Sequence, residues 1–282
     1  MTQSCEEEGR ARLREVAKSL HLTTPQAQLL LCQERFLARL SSLDGDGRAF
    51  VWKGGSLILR LYRALPIPRY TVDIDLLLKG RPMSAVQGIL ERAISLDLDD
   101  GFSFRDITSE PMERDTPYGG DRYSIGWTFF HKRGSQTLKI DVCAGDVVSE
   151  RLLTTRDLFV MQSGDRDLAI NVYPPEYIFA EKLETAARFK TGNSRFKDFV
   201  DMWSLIRLGL DPESVKAAVL ACFANRSTAC STSTIRAIVE DANFAALMER
   251  VRVRSFSRLG LPQVPVLFGD LLSFIDALDL PA

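Results

Sequence analysis

Histidine is almost missing from this sequence: His21 and His131 are the only two in 282 residues. That scarcity counts against histidine-rich metal sites and against Ser-His or Cys-His catalytic arrangements. The five cysteines (Cys5, Cys32, Cys143, Cys222, Cys230) are odd in number and form no CxxC pair. A disulfide framework or a zinc ribbon is therefore not expected. No stretch approaches the roughly 20 uninterrupted apolar residues that a membrane helix needs. The first twenty residues are charged throughout, without the apolar core of a signal peptide, so the reading is of a cytoplasmic chain with no membrane association. Excess charge is also lacking: the net value is −1, which argues against holding nucleic acid by bulk charge alone.

What is present is an ordinary globular mix, 45% hydrophobic and 26% charged, in a length suited to one large domain or two modest ones. Arginine supplies 27 of the 36 basic residues. Bidentate phosphate contacts would use such a surplus, and codon bias in a GC-rich genome would produce it equally. Chemistry must be built from carboxylates, hydroxyls, lysine and arginine.

Apolar residues at three- and four-residue intervals predict helix over much of 1–49, with Thr23-Thr24-Pro25 marking a helix start. Phe50–Trp52 reads as a short strand, Ser56–Tyr62 as a helix that ends at Pro66-Ile67-Pro68, Val72–Leu78 as a strand and Pro82–Leu96 as an amphipathic helix. Phe102–Ile107, Tyr123–His131 and Thr137–Cys143 are further strand candidates. From Pro174 helical periodicity dominates: helices are predicted from Pro174-Pro175 to about Lys190, from Ser194 to about Leu208, after Asp211-Pro212, and over Val266–Leu280. These patterns predict an N-terminal helical segment packed on the core (1–49), an α/β lobe (50–165) and a helical lobe (166–282).

The strongest local signal is Asp73-Ile74-Asp75. On a strand, residues i and i+2 share a face, so both carboxylates point one way while Ile74 and Leu76 face the packing layer. Neighbouring carboxylates repel unless a cation bridges them, and an all-oxygen site suits Mg²⁺. A solvated strand face has the same pattern. Upstream, Lys53-Gly54-Gly55-Ser56 forms a strand-to-helix turn whose glycines would let a phosphate approach the backbone, or would only permit a tight turn. Asp141 is a third carboxylate, on a strand whose alternation puts it on the same face as Lys139. If that strand neighbours Asp73-Ile74-Asp75, the three carboxylates suit metal-assisted phosphoryl or nucleotidyl transfer, with the third as metal ligand or general base.

These blocks resemble the nucleotidyltransferase superfamily with the polymerase-beta-type fold. Lys53–Ser56, Arg69–Leu76, Glu181-Lys182-Leu183 and Arg195–Asp201 together resemble the AbiEii/AbiGii toxin family, which includes the mycobacterial-type nucleotidyltransferase toxins. The resemblance implies an α+β fold, with a polymerase-beta-like lobe around a mixed sheet followed by a mainly helical lobe that completes the active site. It implies a Mg²⁺-dependent enzyme with Asp73, Asp75 and Asp141 as metal ligands. Nucleotide contacts would come from Gly54, Gly55, Ser56, Arg60, Thr71 and Lys182, and Asp198 and Asp201 would join the catalytic set. It further implies a toxin that moves NMP from an NTP to an RNA acceptor, the tRNA 3′ end, with a cognate antitoxin as partner. Transfer to an antibiotic or a protein side chain, or a catalytically silent nucleotide-binding module, are the alternatives.

In the second half, Lys182 lies beside an apolar stripe, where a lysine either snorkels outward or points at an anion such as a triphosphate. Asp198 and Asp201 are three apart on a packing face and need partners. A salt bridge to Lys182 or Arg188 would provide them, as would a role in organising the nucleotide site. Two basic groups, Arg188–Lys197 with Phe189 and Phe196 interleaved, and Arg250, Arg252, Arg254 and Arg258, could hold RNA phosphates or be plain solvated surface.

Overall fold

The computed structural model describes residues 3–43, 45–61, 70–112, 119–130, 136–148, 153–155, 169–192 and 195–281. Pro66, Ile67, Pro68, Arg69, His131 and Ser194 lie outside them. The described residues divide into two compact units. One falls within Met1–Leu61, Tyr70–Gly145 and Leu152–Val172; the other comprises Tyr173–Ala282 with the stretch from Asp146.

The first unit begins with α1 (Gln3–Ser19) and α2 (Thr24–Ser41). At the start of α2 the Thr23 N–H donates to Gln26 Oε1 (2.9 Å), satisfying a donor that the first turn leaves open. Seven strands follow, β1 (Phe50–Lys53), β2 (Asp73–Leu78), β3 (Phe102–Pro111), β4 (Gly120–Phe129), β5 (Gln136–Ala144), β6 (Leu153–Thr155) and β7 (Ile170–Val172). They form one mixed sheet in the order β3-β4-β5-β2-β1-β7-β6. The β2–β5 and β1–β7 pairs are parallel and the others antiparallel. Two helices lie between strands, α3 (Gly54–Leu61) and α4 (Val86–Ser95). The fold is thus α+β around a mixed sheet.

Helix α2 is buried on nearly every side, so its polar residues need internal partners. Arg35 and Arg39 both close on Asp100, at 2.6 Å and 2.7 Å, with all three side chains at most 1% exposed. Arg39 also donates to the carbonyls of Leu96 and Phe102, which ties α2 to the turn between α4 and β3. Burial pushes the Asp100 pKa up, but the two guanidiniums outweigh it and hold the carboxyl below its ordinary range.

The second unit is helical: α5 (Pro175–Phe189), α6 (Phe196–Arg207), α7 (Pro212–Asn225), α8 (Thr232–Val239), α9 (Ala242–Ser255) and α10 (Val264–Ala277). Asp211, Ser231 and Asp241 cap α7, α8 and α9 by accepting from backbone N–H groups. A ring cluster of Phe199, Phe244 and Phe268 fills the space between α6, α9 and α10. Helices α8 and α9 and strands β6 and β7 add to the elements expected from the sequence. The two strands are three residues each, too short for an alternation to register.

Candidate active site

Strand β2 presents Asp73 and Asp75 on one face and buries Ile74 and Leu76 on the other. Its parallel neighbour is β5, in a register that sets Asp75 directly beside Asp141 and Asp73 beside Lys139. On the other side, antiparallel β1 sets Lys53 opposite Asp75. The third acid expected from alternation therefore adjoins the first two, and all three are half-buried.

Helix α3 starts at Gly54, immediately after Lys53. Gly54 has φ +76°, in the left-handed region, and a Cβ placed there would stand 1.9 Å from Asp75 Oδ2. Glycine is thus required twice over, by backbone conformation and by the carboxylate against it. The close approach expected of a ligand is made here by Asp75. Ser56 is 1% exposed, and its Oγ accepts a hydrogen bond from Trp52 Nε1 at 2.8 Å. Its hydroxyl thereby anchors the start of α3 to β1. Arg60 is spent differently from the nucleotide contact expected: it is buried, pairs with Glu34 (2.9 Å) and donates to the Leu30 carbonyl, locking α3 onto α2. Thr71, two residues before Asp73, is half-buried, and its carbonyl accepts from Gln33 Nε2.

Sequence reasoning missed Arg122. On β4 it lies opposite Asp141, and it grips that carboxylate bidentately, Nε to Oδ1 and Nη2 to Oδ2, both at 2.7 Å. The Asp141 hydrogen bonds raise the Arg122 pKa; partial burial opposes this, and the charges of Asp141, Asp73 and Glu110 add to the rise. No local pattern marks this residue, because pairing across strands is invisible to periodicity.

In the second unit Lys182 lies between two carboxylates, 3.0 Å from Asp198 Oδ1 and 2.8 Å from Asp201 Oδ2. Arg195 donates to the other oxygen of Asp198 at 2.7 Å. Burial alone would raise the Asp198 pKa, but Lys182 and Arg195 overcome it and hold the carboxyl low. The salt bridge considered from the sequence is present, and it orients Lys182. On either side of Lys182 in the chain, α5 is pinned through Glu181 and Glu184 by a buried network around Arg226. That guanidinium reaches Glu184 (2.9 Å), Asp146 (2.8 Å) and Glu181 (3.3 Å), and the Tyr173 hydroxyl donates to Glu181 at 2.8 Å.

The basic groups divide. Arg188 is engaged by Glu184, Arg195 by Asp198 and Arg252 by Glu249, whereas Lys190, Lys197, Arg250, Arg254 and Arg258 are exposed. Phe189 is exposed beneath the Arg188 guanidinium at 4.4 Å, while Phe196 is buried.

The oxygen-only donors Asp73, Asp75 and Asp141 fit a hard divalent cation. No three His, Cys, Asp or Glu side chains among the described residues stand together as a ready chelate. No described helix is long and apolar enough to cross a membrane.

Among known folds the chain is similar to JHP933 from Helicobacter pylori, with 16% identity over 91% of this chain and 93% of that one and a TM-score of 0.56. A putative nucleotidyltransferase from H. pylori is also similar, at 12% identity over 91% and 96% of the two chains, with a TM-score of 0.42. Among curated proteins none is significantly similar in sequence. The family model of the nucleotidyl transferase AbiEii toxin, type IV toxin–antitoxin system, matches residues 35–266. That span takes in the sheet with its three carboxylates, the Gly54 turn and the Lys182 pair of helices: the chain belongs to the AbiEii family of nucleotidyl transferase toxins.

Proposed function

We propose that this protein is the toxin of a toxin–antitoxin pair and transfers NMP from an NTP to the 3′ end of tRNA in the cytoplasm, blocking translation. The observation that carries the reading is the β1–β2–β5 register, which sets Asp73, Asp75 and Asp141 side by side against the Gly54 turn. Asp73 and Asp75 would hold Mg²⁺, with Asp141 as the third carboxylate. Bound there, Mg²⁺ would neutralise the polyphosphate and polarise the α-phosphoryl group.

The chain's own part begins with the backbone at Gly54-Gly55, the first N–H groups of α3, which would receive phosphate oxygens. Lys182, oriented by Asp198 and Asp201, is the candidate cation for the polyphosphate. Asp141 serves the acceptor hydroxyl, whose proton one of its oxygens takes. The hydroxyl oxygen then bonds to the α-phosphorus in line with the departing bridging oxygen, and pyrophosphate leaves. A cognate antitoxin is the partner that family membership implies.

The test is incubation of the purified protein with each labelled NTP, Mg²⁺ and total RNA, followed by sequencing of RNA 3′ ends. Extended tRNA is the expected product. A folded protein that labels no RNA with any NTP would refute the reading, and label on a small molecule or on protein would redirect it to another acceptor. Asp73→Ala should abolish transfer while leaving the melting temperature within a few degrees.

A further inference from the structure

Two features of the Arg122–Asp141 pair set it apart from an ordinary surface salt bridge. Both carboxylate oxygens accept from the guanidinium, each at 2.7 Å, so the positive charge of Arg122 stands against both oxygens that a cation would use. The pair is also only partly buried, with side chains 31% and 16% exposed. A bidentate pair of this kind is among the stronger ion pairs, yet solvent still reaches both partners. A competing cation therefore has a path to Asp141 without unfolding the strand. Arg122 has a second acid to turn to, since Glu110 stands opposite it on the other flanking strand, β3, and is exposed. The guanidinium thus has carboxylates to either side, on β5 and β3.

We infer that Arg122 is a positioning residue that occupies Asp141 in place of the divalent cation and yields it when the cation arrives with the nucleotide. This rests on the metal-dependent transferase reading above. Cation and guanidinium compete for the same two oxygens, and like charge keeps them from sharing Asp141 at close range. Without nucleotide the competition favours Arg122, whose planar fork matches the carboxylate. An incoming polyphosphate adds negative charge that favours the cation at Asp141 and offers the freed guanidinium an anion. The consequence is coupling: the third carboxylate becomes available when metal and NTP are both present, which limits idle metal binding.

Mn²⁺ titration followed by electron paramagnetic resonance, without nucleotide, tests this on wild type, Arg122→Gln, Arg122→Lys, Asp141→Asn and the Arg122→Gln/Asp141→Asn double variant. Arg122→Gln should bind Mn²⁺ about tenfold to a hundredfold more tightly than wild type, the equivalent of losing a charge-assisted hydrogen-bonded competitor. Arg122→Lys, which keeps the charge but not the fork, should fall between them and guards against a fold defect in the glutamine variant. In the Asp141→Asn background the Arg122→Gln change should have no effect. An equal gain in that background would mean that Arg122 acts only by its charge, and would overturn the exchange. Unchanged or weaker Mn²⁺ binding by Arg122→Gln, with wild type still binding, would overturn it too while leaving the transferase reading intact. Failure of every variant and wild type to bind Mn²⁺ would overturn the exchange, while the labelled-NTP assay decides the transferase reading separately.

Discussion

Replacing Gly54 by alanine should disable the site through a single methyl group. The added Cβ would stand 1.9 Å from Asp75 Oδ2, 2.6 Å from its Cγ and 2.9 Å from its Cβ. Turning the Asp75 side chain could clear the first two contacts, but not the third, because that Cβ is fixed by the β2 backbone. The turn and the strand must therefore separate, at a cost of about 1–3 kcal/mol for an overpacked contact. Holding a residue with a Cβ at φ +76° adds about 1–2 kcal/mol. Together that is about 2–5 kcal/mol, a large share of the roughly 5–15 kcal/mol that keeps a domain folded. Displacing a carboxylate of the site by about 1 Å can cost on the order of a hundredfold in rate. The assay is a urea melt followed through tryptophan fluorescence, alongside the nucleotidyl-transfer assay. Gly88, early in α4 with nothing within 4 Å of an added Cβ, is the control. Gly88→Ala should gain roughly 0.5–1 kcal/mol and keep full activity. A Gly54→Ala protein with wild-type midpoint and rate would refute both the close packing and its role.

Three further outcomes are expected. Asp198→Asn should lower stability at neutral pH by about 1–3 kcal/mol, read by thermal melting, because Lys182 and Arg195 lose a charged partner. The folded-state Asp198 pKa lies below its unfolded value, so the contribution is complete above the ordinary carboxylate pKa of about 3.9 and is lost as pH falls through the folded value. The variant's melting temperature should consequently fall less steeply than wild type below about pH 4. Arg226→Met strands Asp146, Glu181 and Glu184 without their shared cation and should cost about 3–5 kcal/mol, measured by denaturant melts. Cys32 and Cys222 should resist thiol reagents at pH 8 until the protein unfolds, since burial pushes both thiols up, Cys222 to about 12. Rapid labelling of either in the native protein would contradict their placement.

Much of the site is legible in local chemistry. The shared face of Asp73 and Asp75 follows from strand alternation, and the alternation around Asp141 is as plain. The Lys53-Gly54-Gly55-Ser56 turn is visible as a strand-to-helix junction, although the helix begins at Gly54 rather than at Ser56. The turn's individual side chains are less legible. The resemblance implies a nucleotide contact for Arg60, yet it is buried against Glu34 and Leu30, because α2 lies where its guanidinium reaches. Ser56 looks like a phosphate hydroxyl and instead receives the Trp52 indole.

The division follows the range of the forces involved. Periodicity, turn chemistry and helix starts depend on residues within a few positions of one another, so a chain written as letters already displays them: the acidic face of β2, the glycines after β1, the helical character from Pro175 onward. Register between strands depends on which segments meet after the chain has closed long loops. Asp75 and Asp141 are adjacent because β2 and β5 pair in parallel, and Arg122 holds Asp141 because β4 pairs antiparallel with β5. No short-range pattern contains either fact. The shared face of Asp73 and Asp75 was therefore readable in advance, while the adjacency of Asp141 and the cation that restrains it became visible in the assembled sheet.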